Sequence, residues 1–216
     1  MSRDWASIFR VKRAASALAL GLCIVTTAAG VAHAGSVPSA SSKGCGGIEI
    51  TARSWLGGHG VHVRSNGIDE GTDASCSAGL SRVDGVVAGL KWQCVELVNR
   101  LYLANGWIST EWYGDAGVQF WQSAPPRLTK EANGHVSYLG PGDVVDVVER
   151  YQGRLVGGHV FVVDASGQVR SGVVGLVSQN NSGVPDKPGS ISHGRITVSG
   201  ATGGWTYRVI GVIHAP

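Results

Sequence analysis

From Gly140 onward the pattern of apolar positions becomes that of β-strands, short apolar runs separated by turns. Pro141-Gly142 reads as a turn, Val144 to Val148 as a strand, Gln152-Gly153 as a hairpin connection and His159 to Asp164 as the returning strand. Ser166-Gly167 turns again into Val169 to Val177, and further strands are expected around Arg195 to Val198 and Tyr207 to Ile213. One upstream stretch, Trp92 to Tyr102, has helical spacing instead. Leu97, Val98 and Leu101 follow Cys94 by three, four and seven residues and so share one stripe with it. Asn105-Gly106 is the stop signal just past a helix C-terminus, which places Cys94 in the first turn. Trp107, Trp112, Tyr113, Phe120 and Trp121 then form an aromatic connection running to Pro125-Pro126, read chiefly as packing with one or two rings left for a ligand. Short strands joined by tight turns, with helices packed on one face, give an expected α+β class with a mostly antiparallel sheet.

Composition narrows the setting. Of 216 residues, 43% are hydrophobic and 15% charged, enough apolar content for a packed core, and 33 glycines suit a turn-rich chain. Residues 1–34 read as a secretory signal: Arg3, Arg10, Lys12 and Arg13 precede an uncharged Ala- and Leu-rich run ending in Ala32-His33-Ala34. Many alanines, with Gly21, Thr26-Thr27 and Gly30, make that run a poor membrane anchor, and Leu22 before Cys23 is large for lipoprotein processing. Cleavage removes four of the 18 basic residues and one of the 15 acidic ones, leaving 14 of each. A formally neutral mature chain gives no case for nucleic-acid binding, and stable membrane anchoring is not expected after cleavage. The expected location is extracytoplasmic, secreted or in the cell wall.

Three cysteines remain after the signal, in a compartment where disulfides persist. If Cys45 pairs with Cys76, closing a loop of 30 intervening residues, the bridge contributes about 3 to 4 kcal/mol and Cys94 stays free. At a helix start, unpaired N–H groups and the helix dipole favour a thiolate, the nucleophilic form; the competing reading of Cys94 is a small buried hydrophobe. His159 shares a strand face with Phe161 and Val163, and alone it reads as a structural histidine. A helix-start cysteine followed by a strand histidine is the two-element layout of papain-like thiol hydrolases. His59 and His62 lack the further ligands of a zinc site, and Asp69, Glu70 and Asp73 do not fit a calcium loop, so no metal and no cofactor is expected.

Four pieces, Gln93-Cys94-Val95, Pro141-Gly142-Asp143-Val144-Val145, Gly158-His159-Val160 and Val177-Ser178-Gln179-Asn180-Asn181, stand in the order found in the CHAP family. The chain resembles these cysteine- and histidine-dependent amidohydrolases and peptidases of bacterial cell walls from about Ser81 to Ile213. It departs where the family commonly has an acidic residue, any residue, then Asn; here the run is Gln179-Asn180-Asn181. The resemblance implies a papain-like fold, with the cysteine on a helix and the histidine on the sheet, and peptidoglycan as partner and substrate, cut at an amide bond. Cys94 is then the nucleophile, His159 the base, Gln179 or Asn181 the group orienting His159, and the Cys94 N–H with Gln93 the oxyanion donors. The expected organisation is a signal at 1–34, a leader and Gly-rich segment at 35–80 and a catalytic domain at 81–216. A non-catalytic wall-binding relative and an acyl-transferring thiol enzyme are the alternatives.

Overall fold

The computed structural model describes residues 44–67, 79–164, 172–180, 186–201 and 203–216, all within one compact unit, Ala40–Pro216. In chain order its elements are β1 (Ile48–Ile50), β2 (Val63–Arg64), β3 (Leu80–Val83), β4 (Val86–Leu90), α1 (Cys94–Ala104), α2 (Val118–Gln122), β5 (Lys130–Ala132), β6 (Val144–Tyr151), β7 (Arg154–Asp164), β8 (Val173–Val177), β9 (Asp186–Ser192), β10 (Arg195–Val198) and β11 (Trp205–Ile213). Two single 3-10 turns, Ala52–Ser54 and Leu56–Gly58, lie between β1 and β2.

Three hairpins share one device. Asp84-Gly85 between β3 and β4, Gln152-Gly153 between β6 and β7, and His193-Gly194 between β9 and β10 all hold positive φ at both residues. That is the two-residue turn whose twist matches the flanking strands, and glycine at its second position removes the Cβ penalty.

Seven strands form one antiparallel sheet in the order β10-β9-β8-β7-β6-β11-β5, while β1-β2 and β3-β4 form two separate ribbons. The large sheet curls into a half-barrel. Asn133 bridges the gap left by the curl: its amide nitrogen donates to the carbonyls of Ile196 (3.2 Å) and Val209 (3.4 Å), and its amide oxygen accepts from the Ile196 N–H (2.7 Å). Gly134 and Val136 both donate to the Gly194 carbonyl beside it.

The two faces of the sheet bury two different cores. Val144, Val160, Val162, Val177 and Ile213 pack with Cys94, Leu97, Val98 and Leu101 of α1, together with Trp55, Leu56 and Val63. Val145, Val147, Phe161, Val163, Leu176, Ile196, Val209 and Val212 fill the inside of the curl. The segment bearing β1 and β2 therefore contributes side chains to the same core as α1.

This is not the expected papain-like α+β arrangement. Of the described residues 41% are strand and 15% helix, and only α1 is a helix of more than two turns. Two causes account for the difference. The aromatic connection yields only the five residues of α2, its Trp112 and Phe120 stacking at 3.9 Å inside the first core. The Gly-rich region before Cys94 adds four strands that its composition concealed.

Candidate functional site

Cys94 opens α1, with extended Gln93 as the residue before it. It is a free thiol, whereas Cys45 is disulfide-bonded. Cys76, the expected partner of Cys45, lies outside the described residues, as does Asn181. Cys94 is buried, and burial pushes the pKa of its thiol up to about 12. Backbone N–H groups of Val160 and Val95 favour the thiolate, but they do not offset desolvation, to which the charges of Glu149 and Asp146 add.

His159 is equally buried, and desolvation, with a smaller contribution from the Lys187 charge, lowers its pKa to about 3. Its register partner across β6 is Val147, its ring lies 4.8 Å from that of Phe161, and its Nε2 has no hydrogen-bond partner. Pairing from Val144↔Val162 to Glu149↔Gly157 is regular, so alternation along β7 puts His159 on the side of Phe161 and Val163. Val160 and Val162, on the other side, pack with Cys94. The sheet thus stands between the two residues expected to form the dyad.

On the Cys94 side, the cross-strand partner of Val160 is Asp146. Its Oδ1 accepts the Gly117 N–H at 2.8 Å, its Oδ2 has no partner, and burial raises its pKa to about 8. The group is a neutral acid at neutral pH, beside a neutral thiol.

The side-chain amide of Gln179 bonds to groups other than His159. Its Oε1 accepts from the Arg64 N–H (2.8 Å) and from Arg100 (3.2 Å), while its Nε2 donates to Glu96 (2.7 Å) and to the Gln93 carbonyl (3.2 Å). Both donors and both acceptor positions are taken. Asn180, at φ 57°, donates to the Gln93 side-chain oxygen (2.6 Å) and accepts from Asn66 (2.7 Å). The first turn of α1 is therefore tied down by amides, and the Gln93 side-chain oxygen is engaged with Asn180.

At the centre of this network is Glu96, fully buried, which sequence reasoning passed over. It receives Ser81 Oγ (2.6 Å), Arg100 Nε (2.7 Å) and Gln179, and Arg100 also donates to the His62 carbonyl (2.7 Å). The i,i+4 spacing of Glu96 and Arg100 was the one readable signal. His62 itself accepts the Ala52 N–H through Nδ1, and His59 is exposed. Asp69, Glu70 and Asp73 lie outside the described residues. A second buried histidine, His214, sits between Asp143 (3.0 Å) and Glu131 (3.3 Å) under the ring of Tyr138, tying the C-terminal segment to the start of β6.

No family model matches this chain, and no curated protein does.

Proposed function

We propose that this chain is an extracytoplasmic CHAP-like protein that binds peptidoglycan and, in the folded state described, holds its ligand without hydrolysing it. One observation carries the reading. Cys94 and His159 occupy opposite faces of the β6–β7 pair, one a thiol with its pKa pushed up to about 12, the other an imidazole pushed down to about 3. Thiol hydrolysis needs a base within hydrogen-bond reach of the sulfur, because that base takes the thiol proton and returns it to the leaving amine. The wall ligand rests on the four sequence pieces that resemble the CHAP family. The signal-like residues 1–34 support export.

A thiol hydrolase cutting a peptidoglycan amide bond is the second reading. What favours it is the free thiol of Cys94 in the first turn of α1, with two backbone N–H groups directed at it. His159 would have to change faces, which a one-residue slip of β7 accomplishes in principle.

Sedimentation with purified peptidoglycan, followed by product analysis on the same incubation, separates the two. Binding with no released amine or muropeptide is the expected result. Release of fragments that stops in Cys94→Ser and His159→Ala overturns it in favour of the hydrolase.

A further inference from the structure

Three cations converge on one indole. Arg64 stands over the Trp92 ring with its Cζ 4.9 Å from the centroid, the Lys91 ammonium at 5.9 Å and Arg100 at 6.0 Å. With Arg82 they border a cleft of about 530 Å³ whose wall also includes Leu80, 48% exposed. The lone carboxylate that meets these cations in the described network, Glu96, is fully buried, its oxygens already held by Arg100, Ser81 and Gln179. Arg100 is spent in the same way, on Glu96, Gln179 and the His62 carbonyl.

The others keep capacity. Arg64 gives one guanidinium nitrogen to the Gly46 carbonyl, and Arg82 gives one to the Gly85 carbonyl. The described contact of the Lys91 ammonium is with the Trp92 ring. In a chain whose exported part is formally neutral, like charges gathered at one indole disfavour each other unless an anion joins them. Two guanidinium forks and an ammonium suit a carboxylate.

We propose that this cleft is a binding site for a short peptide carrying carboxylates and aliphatic side chains. The cations take the carboxylates, and Leu80 with the Trp92 ring takes the apolar part. A phosphate polymer meets the same cations but brings nothing to cover Leu80, so the peptide is favoured. The biological source of such a peptide, a cell-wall stem, rests on the function proposed above; the chemistry of the cleft does not. Trp92 and Cys94 are two residues apart, so a peptide in the cleft lies beside the start of α1.

The test uses the full secreted chain in calorimetric titrations with the tripeptide Ala-Glu-Ala and with the same peptide amidated at both carboxyl groups. The free acid is expected to bind at least about tenfold tighter, more weakly as salt rises, and to lose about tenfold in the Arg82→Ala/Lys91→Ala double variant. Arg82 is exposed and Lys91 half-buried, and an unchanged far-UV circular dichroism spectrum checks the fold of the variant. Equal binding of the diamide, an unaffected double variant, or no binding of the acid overturns the proposal. Inorganic phosphate binding as tightly as the peptide overturns the ligand class. Peptidoglycan sedimentation separates this claim from the one above it. Peptide binding without sedimentation keeps the cleft and removes the wall ligand; sedimentation without peptide binding does the reverse.

Discussion

The side-chain amide of Gln179 donates to Oε2 of Glu96 at 2.7 Å, joining the segment after β8 to the first turn of α1 across 83 residues of chain. Glu96 is a buried carboxylate, and such a group is tolerated only while its oxygens are met. Without Gln179, Oε2 keeps only Arg100 Nη2, at 3.4 Å. Gln179→Ala is expected to lower unfolding free energy by about 2 to 4 kcal/mol with an unchanged denaturant m-value. Gln179→Glu, which sets a second carboxylate against the first, is expected to cost at least as much. A variant as stable as the parent in urea unfolding removes the network from the account.

Cys94 is expected to resist alkylation in the native state. With a pKa near 12 the thiolate fraction at pH 8 is about 10⁻⁴, against roughly a quarter for an ordinary cysteine. Iodoacetamide labelling followed by mass spectrometry should therefore be at least about a hundredfold slower in the folded protein than in urea. Fast native labelling of Cys94 contradicts both the burial and the binding-only reading.

Two buried groups give stability opposite slopes with pH. The His159 pKa falls from 6.5 to about 3 on folding, so the unfolded chain binds the extra proton, and its contribution is complete above 6.5 and is lost as pH drops toward 3. The Asp146 pKa rises from 3.8 to about 8, so the folded chain holds the extra proton, and stability declines as pH climbs from 3.8 to 8. Between about 4 and 6.5 the two oppose each other. His159→Gln should make stability fall with pH in that window, and Asp146→Asn should make it rise, each by a few kcal/mol across its range. Urea midpoints measured at half-unit steps of pH read both slopes. Two parallel curves show that neither group titrates as described.

Gly158→Ala should be severe. A Cβ there would lie 1.9 Å from the Ala116 carbonyl oxygen, a backbone atom, so the loop before α2 must move and the Gly117 N–H bond to Asp146 goes with it. A loss of about 2 to 4 kcal/mol is expected in thermal or urea unfolding. A loss below about 0.5 kcal/mol contradicts the close approach.

Local pattern was a good guide where one rule governs a segment. The apolar stripe and the Asn105-Gly106 stop located α1 from Cys94, and apolar runs on either side of the Gln152-Gly153 turn located β6 and β7. Pro188-Gly189 hid β9, because both residues are depleted in strands, and the short ribbons before Cys94 lack a long alternating run. The site was harder to read for a different reason. Alternation says that His159 and Phe161 share a face but not which face α1 covers; that is set by long-range packing of Val160 and Val162. Nor does spacing reveal that Gln179, Ser81 and Arg64 meet at Glu96 and the start of α1, since their contacts span 15 to 115 residues.

Asn133 has a bearing on how copies of this chain meet. An edge strand with open backbone groups is a template on which a foreign strand can extend the sheet, the first step toward fibrous association. At β10 the N–H and carbonyl of Ile196 are occupied by the Asn133 amide, and the Gly194 carbonyl by Gly134 and Val136. A second molecule approaching that edge finds the Ile196 ladder position already filled from within the same chain. One internal amide thus acts as a built-in stopper against edge-to-edge polymerisation at β10.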